Sequence, residues 1–117
     1  MTIPALPFSK VRRAGDLVFL AGEMPFADDG SIPAGIGAQT DLTLKLIAAT
    51  LAGQGLSLKD VLSCTVHLAD KADFHAFNEA YGRHFSDPLP VRTTVQATLM
   101  VDARIEITVI AHASTQS

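Results

Sequence analysis

The spacing of apolar residues changes period several times along this chain, and that succession constrains its fold more than any other feature. Leu62, Cys64, Val66 and Leu68 alternate with Ser63, Thr65 and His67, the two-residue period of a strand with one covered face. Ile105, Ile107, Val109 and Ala111 repeat the pattern near the C-terminus. Between these runs Phe74, Phe77, Tyr81 and Phe85 recur at intervals of 3, 4 and 4, one aromatic stripe on a helix. Upstream, Leu42, Leu46, Ile47, Thr50 and Leu51 form a second helical stripe within Gly37 to Gly53. With extended runs at Phe8 to Arg13 and Leu17 to Gly22, the order reads ββ-α-β-α-ββ. This is an α+β chain, and two helices on one side of a mixed sheet is its compact solution.

Local signals set the boundaries. Ala14-Gly15-Asp16 and Asp28-Asp29-Gly30 read as turns. Leu17 to Gly22 is apolar throughout, which predicts a central strand covered on both faces, and Gly22 marks a bulge or a close backbone approach. Gly53 or Gly55 stops the first helix. Ser57-Leu58-Lys59-Asp60 has the form of a capping box, Asp70 is a good N-cap, and Pro88 and Pro90 end the second helix. Val91 to Leu99 and Arg104 to Ala113 are the last strands, expected to pair as a hairpin centred near Asp102. At 117 residues the chain is one domain, residues 1–117.

Composition excludes several classes of function. A net charge of −3 argues against a nucleic-acid footprint, and Lys10, Arg12 and Arg13 read as a solvated strand end. Cys64 stands alone, so no internal disulfide forms and a reducing, cytoplasmic setting is expected. The N-terminus lacks a signal-peptide pattern, and no apolar run approaches the roughly 20 residues of a membrane helix. His67, His75, His84 and His112 show no ligand spacing, so no metal is expected. Cys64 reads as a small core residue, and the aromatic stripe as core rather than a stacking platform for bases.

Two charged residues on the polar faces of the last strands carry the chemistry. Arg92 can grip a carboxylate through two parallel N–H···O bonds, which a lysine cannot match. Glu106 can hold a water and take its proton. Together they suggest a small-acid site with hydrolytic chemistry and no cofactor. In the expected hairpin Arg92 faces His112 while Glu106 faces Thr98, about 20 Å away at 3.3 Å per residue. Groups that far apart cooperate only if they come from different subunits. An apolar content of 48% agrees, because one helical layer leaves the other sheet face to be buried by ring assembly.

Pro90-Val91-Arg92 and Ile105-Glu106-Ile107, with Phe74, Asn78, Tyr81 and Phe85 on the second helix and Leu20-Ala21-Gly22-Glu23 at a strand end, give the chain its resemblance to the RidA (YjgF-like) family of reactive-intermediate deaminases. The resemblance runs from about Phe8 to His112. It implies a chorismate-mutase-like fold and a homotrimer with ligand clefts between subunits. It further implies hydrolytic deamination, without cofactor or metal, of enamines and imines such as 2-aminoacrylate and 2-iminobutyrate to 2-keto acids and ammonia. Arg92 would bind the carboxylate, Glu106 would position the attacking water, and Gly22 would offer backbone contacts. Phe8 and Thr94 fall at two further ligand positions, where many members carry tyrosine and cysteine. Ala21 and Glu23 replace a common serine and glutamine. These departures imply retained deaminase chemistry with an altered or less efficient substrate profile, and Glu23, if it points into the cleft, would disfavour anionic ligands. Alternatives are a pathway-specific deaminase of an aminomuconate-like or aminoacrylate-derived acid, and a non-catalytic trimer that binds 2-keto acids as a regulator. The family's label of translation inhibitor or endoribonuclease fits this acidic chain least.

Overall fold

In the computed structural model, which describes residues 5–113, the chain runs β1 (Val11–Ala14), β2 (Leu17–Leu20), α1 (Ile36–Ala52), β3 (Val61–Leu68), α2 (Phe74–Gly82), β4 (Val91–Gln96) and β5 (Ile105–His112). The element order is as read from the sequence. The capping box also forms: the Ser57 side chain accepts from the Lys59 N–H, and the Asp60 carboxylate accepts from the Ser57 N–H at 2.9 Å. Asp70 caps the short 3-10 turn that leads into α2, accepting from the Ala72 N–H.

The sheet order is β1-β2-β5-β3-β4, and here the structure corrects the expected hairpin. β4 and β5 do not pair. β3 lies between them, parallel to β4 and antiparallel to β5. Arg92 sits opposite Cys64, while His112 sits opposite Leu17 on the far side of β5. The physical reason is burial. β3 carries Cys64, Val66 and Leu68 into the core, and a central place covers its helix-side face completely. The more exposed β4 takes the edge.

Both helices lie against one face of the sheet. Leu44, Ile47 and Leu51 of α1 and Phe77 and Tyr81 of α2 pack on Val18, Cys64, Val66, Ile107 and Val109. The α1 stripe is rotated from the expected one. Thr40 and Thr43 are fully buried with Leu44, while Leu42 and Leu46 are half-buried. Thr43 Oγ1 donates to the Gln39 carbonyl at 2.8 Å, which lets a hydroxyl occupy an apolar position at little cost. α2 ends at Gly82, well before Pro88. β2 is central, but its outer face is not covered within the chain: Leu17 is 37% and Phe19 38% exposed. A register shift between Val61 and Ser63 turns Leu62 outward, so the alternation holds only from Cys64 onward.

Candidate active site

The register decides which residues share a face. Side chains paired across adjacent strands point the same way. Arg92 pairs with Cys64, and Cys64 with Val109, both buried under the helices. Arg92 therefore points to the helix side at the β4 edge. Glu106 pairs with His67 and alternates with the buried Ile105 and Ile107, so it points to the opposite, outer face. Two strand spacings across and three residues along place the two Cα atoms about 14 Å apart. The expected 20 Å rested on the wrong pairing, but the consequence is stronger. Within one chain Arg92 and Glu106 lie on opposite sides of the sheet and cannot hold one small ligand.

Each residue is nonetheless built into a half-site. The Arg92 guanidinium lies 4.8 Å from the Tyr81 ring centroid, 5.0 Å from Phe77 and 5.8 Å from Phe74. Such contacts contribute on the order of 1–2 kcal/mol each when partly desolvated. They surround the guanidinium with aromatic rings, and no ion pair among the described residues takes its N–H groups. The stripe read as plain core is thus also the bed of the arginine. The sequence carried no local signal of this, since the rings and the arginine are on different elements. Two residues along β4, Thr94 Oγ1 is buried with no hydrogen-bond partner. It lines a cavity of about 210 Å³ together with Phe74, Lys71 and Gln96. Burial pushes the nearby Cys64 thiol and Tyr81 phenol up, which keeps both protonated and leaves Cys64 a poor nucleophile.

The second half-site is on the outer face. A Cβ placed on Gly22 would lie 2.5 Å from Glu106 Oε2 and 3.1 Å from Thr108 Oγ1. Gly22 is not among the glycines with positive φ, so space and not backbone conformation excludes a side chain there. The close backbone approach expected at Gly22 is therefore to Glu106. Phe8, 63% exposed, lines a cavity of about 180 Å³ with Lys10, Gly22 and Glu23. Glu23 bridges to Ile107 and so takes the helix-side direction, away from Glu106, with Lys10 at 3.9 Å. Burial raises its pKa and Lys10 opposes the rise. His67, directly across from Glu106, has a buried Nδ1 without a partner. Sequence reasoning passed over it, because only the strand order shows what it faces.

Among the described residues neither Arg92 nor Glu106 takes part in an ion pair. The structure thus joins Arg92 with Thr94 on one face and Glu106 with Gly22 on the other, sets Phe8 beside Gly22 in a cavity that Glu106 does not line, and does not join the two groups. Among the described residues no cluster of three His, Cys, Asp or Glu stands where a metal could be held, and no helix is long and apolar enough to cross a membrane.

Comparison with known proteins gives this geometry its context. The family model described as Endoribonuclease L-PSP matches residues 2–113. The 3-aminoacrylate deaminase RutC of Acinetobacter baylyi is 34% identical over 112 residues, covering 93% of this chain and 89% of that protein. The chloroplastic Reactive Intermediate Deaminase A of Arabidopsis thaliana is 36% identical over 90% of this chain and 58% of its own length. Among solved structures, Escherichia coli TdcF with bound serine superposes with a TM-score of 0.88 at 33% identity, covering 95% of this chain and 91% of that one. A match over nearly the whole length, in sequence and in fold, means that the chain belongs to the RidA (YjgF-like) family.

Proposed function

We propose that the protein hydrolyses reactive enamines and imines of the 2-aminoacrylate and 2-iminobutyrate type to 2-keto acids and ammonia. It does so without a cofactor, in clefts completed between the subunits of a homotrimer. One observation carries the reading: an arginine and a glutamate, each held in a shaped half-site and each unpaired, on opposite faces of one sheet. Leaving such groups without partners in both free and assembled protein would be costly, so a second chain and a ligand are the natural complement. Relatives named for reactive-intermediate and 3-aminoacrylate deamination support the chemistry.

The steps follow from the groups. Arg92 takes the substrate carboxylate in a bidentate contact, and the free Thr94 hydroxyl supplies a further hydrogen bond at that end. Glu106 of a neighbouring subunit holds a water against the C=N carbon, with Gly22 leaving room for the approach. Water oxygen bonds to that carbon as its proton passes to the carboxylate. The carboxylate returns that proton to nitrogen, giving a carbinolamine, and then carries the hydroxyl proton to nitrogen as the C–N bond breaks and the C=O bond forms, so that ammonia leaves the 2-keto acid. Orientation can lower a barrier by about 7–11 kcal/mol in favourable cases, which suits a substrate that is already electrophilic.

A pathway-specific deaminase acting on a 3-aminoacrylate-type acid is the second reading, favoured by the name of the Acinetobacter relative. The deciding assay generates 2-iminobutyrate, 2-iminopropionate and 3-aminoacrylate in situ and follows ammonia release. Wild type accelerates loss of at least one of them and Glu106→Gln does not, while 2-keto-acid binding survives in the variant. Binding without acceleration of any of the three would make the protein a keto-acid binder.

A further inference from the structure

Two cavities among the described residues exceed those at the half-sites in volume and lie away from both. One of about 670 Å³ and one of about 460 Å³ run along the outside of α1 and share Ala48, Leu58 and His84. Their volumes fall in the range of small-molecule sites, which are mostly apolar with a few convergent polar groups. Leu42, Ala48, Leu58 and Phe85 supply the apolar floor. One wall is fixed by an ionic seam: His84 Nε2 lies 2.7 Å from Asp41 Oδ1, and Arg83 donates to Asp41 Oδ2 at 3.5 Å. Among the described residues Asp41 is the one carboxylate that lines either cavity, and those two contacts occupy it. Lys45 lines the larger cavity and Lys59 the smaller, on either side of the shared Ala48, Leu58 and His84, and neither takes part in an ion pair among the described residues. The groove therefore combines an apolar floor with two uncommitted positive charges.

We propose that this groove binds a compact apolar monocarboxylate, its ring or branched body on Ala48 and Leu58 and its carboxylate between Lys45 and Lys59. The site is separate from the residues assigned to catalysis and does not depend on that assignment. 3-Phenylpropionate and its uncharged amide serve as probes, titrated into the ¹⁵N-labelled protein. The acid shifts the amides of Leu42, Ala48, Leu58 and His84 and binds about tenfold more tightly than the amide. Replacing both Lys45 and Lys59 by Ala brings the acid down to the affinity of the amide. Ala48→Phe, with an otherwise native spectrum, abolishes the shifts for both. Equal affinity of acid and amide in wild type overturns the proposal. So do shifts centred on Arg92 or Gly22 instead, wild-type binding in Ala48→Phe, or no saturation at millimolar acid.

Discussion

Gly22→Ala separates the role of space from the role of folding at the proposed active site. The new methyl group would stand 2.5 Å from Glu106 Oε2 and 2.9 Å from its carboxyl carbon. Relief to ordinary contact requires the carboxylate to retreat by about 1 Å, since non-bonded heavy atoms sit about 3.5 Å or more apart. Glu106 is half-buried and its carboxylate is the flexible end of the side chain, so it moves more easily than the backbone. The backbone at residue 22 does not need glycine, and the loss of unfolded-state freedom contributes about 0.4–1 kcal/mol in favour of the variant. The net stability change should therefore be small, within about 1 kcal/mol, or about 5 °C in Tm. Catalysis should suffer far more, because a 1 Å misplacement of a reacting group can cost about 10²-fold. The assay is kcat for in-situ imine beside a melting curve. Combining Gly22→Ala with Glu106→Ala should be no slower than Glu106→Ala alone, since the first change acts through the second residue. Wild-type turnover in Gly22→Ala, or additive losses in the double variant, would refute the reasoning.

Three further outcomes are expected. Arg92→Lys keeps the charge but loses the fork and its ring contacts, so kcat/KM should fall at least tenfold with folding intact; near-normal turnover removes the anchoring role. Light scattering at micromolar concentration should give about three times the 12.4 kDa chain mass, and an active monomer would sink the shared cleft. Glu23 has a raised pKa through burial, so its charged form is the disfavoured one in the fold. The protonated carboxyl contributes stability that is fully present below the ordinary value of 4.5 and is lost as pH rises through the raised folded value. Glu23→Gln should accordingly raise Tm at pH 7 and leave it unchanged near pH 4, and an equal effect at both would assign the change to something other than charge.

The elements were legible where the deciding interactions are local. Ser57 and Asp60 bond within one turn, Asp70 caps the residue two ahead, and β3 and β5 announce themselves by alternation. The pairing of β4 with β3 was not legible, because nothing near Asp102 distinguishes a hairpin from a loop that leads to another partner. That one non-local choice decided where Arg92 points. It also hid the ring bed beneath Arg92 and the position of His67 beside Glu106. Gly22 was readable as a place of close approach, but not what approached it. Leu62 and Leu42 were misplaced for local reasons: a bulge shifts one, and Thr40 and Thr43, the latter bonded to its own helix, replace the other in the core.

The parallel pairing of β4 also orders events in folding and opening. β2, β5 and β3 are tied antiparallel in the middle of the sheet, with β1 on one edge as the hairpin partner of β2, while β4 on the other edge is the one parallel strand and returns to β3 through α2. Its ladder can close only after α2 has docked, since the crossover must be in place before the strand can reach its neighbour. A strand of this kind belongs to the less protected end of the stability range. Amide protons of β4 should exchange through a partial opening that spares Val66 and Ile107. The arm that bears Arg92 would then be the last part of the sheet to form and the first to release.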